Sequence, residues 1–113
     1  MSQKTILYVE DNEFNRKIVK QLLAQTKYRL REATDGETGL RMALEEAPDL
    51  ILMDVQLPKM SGLEATRRLR ADPQTAAIPI VVITSYALSG DAEKAKAAGA
   101  TAYLAKPYSP RDL

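Results

Sequence analysis

Three stretches of the chain are apolar without interruption: Ile6-Leu7-Tyr8-Val9, Leu50-Ile51-Leu52-Met53 and Ile80-Val81-Val82-Ile83. A strand that is apolar at every position, rather than at alternate ones, belongs to a sheet covered on both faces. Two weaker runs, Arg29-Leu30-Arg31-Glu32-Ala33 and Thr101-Ala102-Tyr103-Leu104, suit edge positions, where one side meets water. Between these runs the period lengthens to that of a helix. Phe14, Ile18 and Leu22, with Val19 and Leu23 beside them, form one stripe. Leu40, Ala43, Leu44 and Ala47 form a second, stopped by Pro48. Leu63, Thr66 and Leu69 form a third, ending before Asp72-Pro73, and Ala92 to Ala98 a shallow fourth with Gly99 as its stop. Strand and helix alternating in this way predict an α/β fold, a doubly wound five-stranded parallel sheet with right-handed crossovers. The last unit is incomplete. Ser109-Pro110 is a good start for a fifth helix, yet the sequence stops three residues later. A truncated fifth helix should leave part of one sheet face and the flank of the first helix bare. No repeat, linker or low-complexity tract divides the chain, so one domain over 1–113 is expected.

Composition removes whole classes of chemistry. The 113 residues include neither cysteine nor histidine, which excludes disulfide scaffolds, zinc centres built on those residues, cysteine nucleophiles and a histidine base. Sixteen Lys plus Arg against 15 Asp plus Glu leave a net charge of +1, and no segment gathers the basic residues into a nucleic-acid arm. No apolar run approaches the roughly 18 residues of a membrane span, and the four apolar residues before Glu10 are too few for a secretory signal. The expectation is a soluble cytoplasmic protein with no direct nucleic-acid or membrane partner.

In an open α/β sheet, ligands bind beyond the carboxyl ends of the strands, where strand order reverses. Glu10-Asp11 follow the first strand, Asp54 ends the third, Thr84-Ser85 end the fourth, and Lys106-Pro107 follow the fifth. If the strand order is 2-1-3-4-5, the first and third strands flank the switch point and carry three carboxylates. Only the exit of the second strand, Thr34-Asp35-Gly36, has no evident role. Clustered carboxylates repel one another unless a pKa rises or a cation binds. All-oxygen donors select a hard ion, Mg²⁺ or else Mn²⁺. Asp11 and Asp54 then read as direct ligands, Glu10 as acting through water, and the Gln56 carbonyl as a further oxygen. A carboxylate beside such an ion can also attack phosphorus, and Asp54 is the most central of the three. Lys106 and the Thr84 hydroxyl would cover the remaining phosphoryl oxygens.

The segments Tyr8-Val9-Glu10-Asp11-Asn12, Met53-Asp54 through Ser61-Gly62, Ile83-Thr84-Ser85 and Tyr103-Leu104-Ala105-Lys106-Pro107 together resemble the receiver domain of two-component response regulators, which has a flavodoxin-like fold. The resemblance runs from Lys4 to Pro107. It implies that Asp54 takes a phosphoryl group from a histidine kinase or a histidine phosphotransfer protein. Glu10 and Asp11, with Asp54 and the Gln56 carbonyl, would hold Mg²⁺. Thr84, with Ser85 beside it, and Lys106 would contact the phosphoryl oxygens, and the Lys106–Pro107 bond would be cis. Thr84 and Tyr103 would form the switch pair. The run Glu10 to Arg16 is similar to receivers of hybrid kinases and of small single-domain regulators of cell-cycle type. A start just before the first strand favours an N-terminal or stand-alone receiver, as a monomer or weak dimer. Leu57 stands where methionine is commoner, a volume-conserving change.

Each residue alone has a plainer explanation. Glu10-Asp11-Asn12 could be an acidic first turn with its cap, Thr84-Ser85 a cap, Lys106 a solvated lysine, and Tyr103 edge packing. Their joint placement at strand exits argues for a site. Arg67, Arg68 and Arg70 read as a solvated face. Competing functions are a Mg²⁺-dependent aspartyl phosphatase, a flavin carrier and a receiver used only for docking. The phosphatase would want an acid two residues after the nucleophile, where Gln56 stands, and the carrier a hydroxyl-rich loop after the first strand.

Overall fold

The computed structural model describes residues 4–24, 26–84 and 91–105. They form β1 (Thr5–Val9), α1 (Glu13–Leu23), β2 (Arg29–Ala33), α2 (Gly36–Glu46), β3 (Leu50–Asp54), α3 (Gly62–Ala71), β4 (Ile80–Thr84), α4 (Asp91–Ala98) and β5 (Ala102–Ala105). The five strands make one parallel sheet in the order β2-β1-β3-β4-β5. The expected architecture is therefore the observed one. The continuous apolar runs are the three inner strands, the weaker runs are the edges, and β5 begins one residue later than its pattern suggests. The fifth-helix segment and the Lys106–Pro107 bond lie outside the described residues. No helix among the described residues is long and apolar enough to cross a membrane.

The sheet separates two apolar layers because alternate residues of a strand face opposite ways. Leu7 and Val9 of β1, Ile51 and Met53 of β3, and Ile80 and Val82 of β4 pack with Ala43, Ala65, Leu69 and Ala95 from α2, α3 and α4. On the opposite face Ile6, Tyr8, Leu52 and Ile83 meet Val19 and Leu23 of α1.

The helices α1, α2 and α3 are each started by a side-chain cap. Asn12 Oδ1 accepts from the Asn15 N–H at 3.0 Å, Asp35 Oδ1 from Thr38 N–H at 2.7 Å, and Ser61 Oγ from Leu63 N–H at 3.0 Å. Such caps satisfy orphan donors of the first turn. This gives Asp35 the role its sequence context did not reveal. Hydrogen bonds from the Thr38 backbone and then its side chain hold the Asp35 carboxyl below its ordinary value.

Three details depart from the sequence pattern. In α1 the buried edge of the stripe is Val19 and Leu23, whereas Phe14 is 71 % and Ile18 37 % exposed. An apolar arc this broad does not state which of its edges will meet the sheet. In α2, Gly36, Gly39 and Ala43 face inward, Leu44 is exposed, and Ala47 is the left-handed C-cap rather than part of the stripe. Small residues take the inner positions because α2 sits close to β1: a Cβ on Gly39 would lie 2.8 Å from a Val9 methyl. Finally, Arg70 is not on a solvated face. Arg67 and Arg68 pair with Glu64 in water, but the Arg70 guanidinium turns the other way. It donates to the carbonyls of Gly99 (2.7 Å), Ala76 (2.9 Å) and Ile78 and to Thr101 Oγ1 (3.0 Å), tying α3 to the starts of β4 and β5.

Candidate functional site

The carboxyl ends of β1 and β3 lie side by side, since Val9 is in register with Met53. One residue further on, both chains present acids. Oxygens of Glu10, Asp11 and Asp54 come within 4.8 Å of one another. Glu10 is 0 % and Asp54 2 % exposed, while Asp11 faces solvent. Two buried carboxylates and one open to water, with no nitrogen or sulfur donor, fit a small hard cation approached from one side.

The protein fixes these groups from several directions. Tyr8, fully buried, donates its hydroxyl to Glu10 Oε1 at 3.0 Å. Asn15 Nδ2 lies 3.5 Å from the same oxygen, and the Asn12 N–H donates to Oε2 at 3.3 Å. The Glu10 backbone is held as well, its N–H on the Ala33 carbonyl and its own carbonyl accepting from Arg16 Nη1. Arg16 in turn pairs with Glu32 of β2 at 3.2 Å. Asp54 Oδ1 accepts from the Gln56 N–H at 3.4 Å.

Behind Asp54 the chain turns sharply into α3. The N–H groups of Leu57 and Gly62 both donate to the Val55 carbonyl, and Lys59 adopts a positive φ of 68° between them. Gly62 then approaches the Asp54 backbone so closely that a Cβ there would lie 1.9 Å from the Asp54 carbonyl oxygen. Only glycine allows α3 to start at this point.

The structure thus gathers Glu10, Asp11, Asp54 and the adjacent Gln56 at one rim. β4 ends at Thr84 on the same side, next to Asp54's register partner Ile83. The Thr84 side chain and the residues Ser85, Lys106 and Pro107 lie outside what is described. Tyr103 is half-buried on β5 against the larger apolar layer. It lines an open groove of about 260 Å³ with Ala95, Lys96, Ala100, Thr101 and Ala102. Sequence reasoning missed Tyr8, Asn15 and Arg16 as supports of Glu10. The available signal was a hydroxyl inside an otherwise aliphatic strand, two residues before the acid.

Residues 6–113 match the family model of the response regulator receiver domain. The chain belongs to that family. Over 106 residues it is 42 % identical to the polar-differentiation response regulator DivK of Brucella anthropi, covering 94 % of this chain and 86 % of DivK. Among solved structures it is similar to the receiver domain of sensor histidine kinase PA1611 from Pseudomonas aeruginosa, which carries a magnesium ion in its active-site cleft. That likeness has a TM-score of 0.91 at 38 % identity, over 99 % of this chain and 92 % of the other. The Vibrio cholerae chemotaxis protein CheY4 matches with a TM-score of 0.90 at 31 % identity, over 97 % and 92 % of the two chains. Receivers of this kind are signalling switches rather than turnover enzymes, and their partners are histidine kinases or phosphotransfer proteins. Its acidic cluster is one that can bind a metal ion.

Proposed function

We propose that this receiver is a phosphorelay switch in which Asp54 accepts the phosphoryl group. The observation that carries the reading is the meeting of Glu10, Asp11 and Asp54 oxygens within 4.8 Å at the switch point of the sheet. Glu10, Asp11 and Asp54, with the Gln56 carbonyl, are the residues that would hold Mg²⁺, or Mn²⁺ in its place. When bound, the ion neutralises the charge gathered by three carboxylates and a phosphoryl group. An Asp54 oxygen forms the new bond to phosphorus, the bond to the donor's histidine nitrogen breaks, and that nitrogen keeps the electron pair. In this reading Thr84, Ser85 and Lys106 contact the phosphoryl oxygens.

Phosphorylation then favours one of two arrangements of Thr84, Tyr103 and α4, a population shift. The reading places the protein in the cytoplasm, acting on a protein target as a monomer or weak dimer. A phosphatase reading is disfavoured by Gln56, which has no proton to exchange where an acid would be needed.

The test is mass measurement before and after treatment with acetyl phosphate and Mg²⁺. Wild type should gain one phosphoryl adduct and Asp54→Asn none. Stoichiometric labelling retained in Asp54→Asn would refute the assignment.

A further inference from the structure

Tyr8 is the one hydroxyl among Ile6, Leu7, Tyr8 and Val9 of β1, and it is fully buried. Residues two apart on a strand project from the same face, so its ring lies directly beneath Glu10. Its hydroxyl meets Glu10 Oε1 at 3.0 Å, and Asn15 Nδ2 reaches that oxygen from the first turn of α1 at 3.5 Å. The Asn12 N–H takes the other oxygen at 3.3 Å. Glu10 is thereby gripped from below by the sheet and from the side by a helix.

We infer that Tyr8 is a positioning residue for the metal centre: its hydroxyl fixes the rotation of the Glu10 carboxylate and so the direction its oxygens face. The inference rests on the metal-binding reading given above. The terminal torsion of a glutamate is broad, so a carboxylate with fewer fixed donors samples a wide arc. Ligating carboxylates are themselves held by hydrogen bonds, and loss of such outer partners weakens metal affinity. Mg²⁺ demands near-ideal octahedral geometry, whereas Ca²⁺ tolerates varied coordination. Loss of the Tyr8 hydroxyl therefore penalises Mg²⁺ more than Ca²⁺. A role confined to packing would not distinguish the two ions.

Tyr8→Phe removes one oxygen and keeps the ring against Val19, Leu23 and Leu52. Calorimetric titration of the whole chain with Mg²⁺ and with Ca²⁺ should show Mg²⁺ affinity reduced at least about tenfold, with a smaller loss for Ca²⁺. Mg²⁺ affinity within twofold of wild type, or equal losses for both ions, would overturn the role of Tyr8 and leave the metal centre standing. Absence of Mg²⁺ binding by wild type would instead overturn the metal-binding reading, and this inference with it. Should Tyr8→Phe not fold, wild type carrying ¹³Cζ-tyrosine decides the matter. The Tyr8 resonance should move along the Mg²⁺ titration with the midpoint of binding, and a stationary resonance overturns the inference.

Discussion

Gly62 and Gly36 each open a helix, α3 and α2, and the same substitution should have opposite consequences at the two places. A Cβ at Gly62 would sit 1.9 Å from the Asp54 carbonyl oxygen and 2.8 Å from its carbon, where real contacts stay beyond 3.0 Å. The obstacle is backbone inside a buried strand, so α3 must retreat by about 1 Å from the strand it rests on. Overpacking of this kind costs roughly 1–3 kcal/mol, and the lower chain entropy of alanine returns only about 0.4–1. A net loss of about 1–2 kcal/mol follows for Gly62→Ala. At Gly36 the nearest atoms are the Met60 sulfur at 3.2 Å, its Cβ at 3.3 Å and its carbonyl oxygen at 3.4 Å, all beyond 3.0 Å and needing a shift of only a few tenths of an ångström. Gly36→Ala should therefore stay within about 0.5 kcal/mol of wild type or exceed it. Urea unfolding followed by far-ultraviolet circular dichroism separates the two. The Gly62→Ala midpoint should fall by about 0.5–1 M, given slopes of roughly 1–3 kcal/mol per molar for a small domain. Because the retreat begins at Asp54, Mg²⁺ affinity should fall with it. Equal midpoints for Gly62→Ala and wild type, or equal losses at the two glycines, would refute the reasoning.

Three further outcomes are expected. Asp35→Asn keeps an equally good cap but cannot titrate. Since the folded Asp35 carboxyl lies below its ordinary 3.8, its stabilisation is complete above that value and disappears as the pH falls through the lowered one. The stability difference between wild type and Asp35→Asn should accordingly be constant near neutrality and shrink in acid, and a difference independent of pH would contradict this. Arg70→Ala removes charge-assisted hydrogen bonds to Gly99, Ala76, Ile78 and Thr101, and should cost about 2 kcal/mol with faster amide exchange at Thr101. Ala47, left-handed at φ 45°, should gain up to about 1 kcal/mol on replacement by glycine, read as a higher melting temperature.

The inner and edge strands and the rim were legible because the inner strands are apolar at every position and their exits are not. That contrast places Glu10, Asp11 and Asp54 without knowledge of any contact, whereas the order of the inner strands leaves no trace in that pattern. The orientation of α1 was not legible, since Phe14, Ile18, Val19 and Leu23 all belong to one arc and only the sheet decides which edge is covered. Arg70 was misread for a related reason. Composition sees three arginines on one helix, whereas the helical turn sends Arg67 and Arg68 to Glu64 and Arg70 to the loops below. The supports of Glu10 escaped because a tyrosine in a core strand ordinarily contributes its ring, and nothing in spacing alone says that its hydroxyl has a use.

The guanidinium of Arg70 fastens the amino ends of β4 and β5, while the acids occupy the opposite ends of the strands, about 13 Å away at the usual rise per residue. Changes so far apart, sharing no neighbour, combine additively. Thermal robustness and the geometry of the acidic rim can consequently be adjusted as separate dials in this molecule: a hardened base can be engineered once and then carried beneath any variant of the acidic mouth.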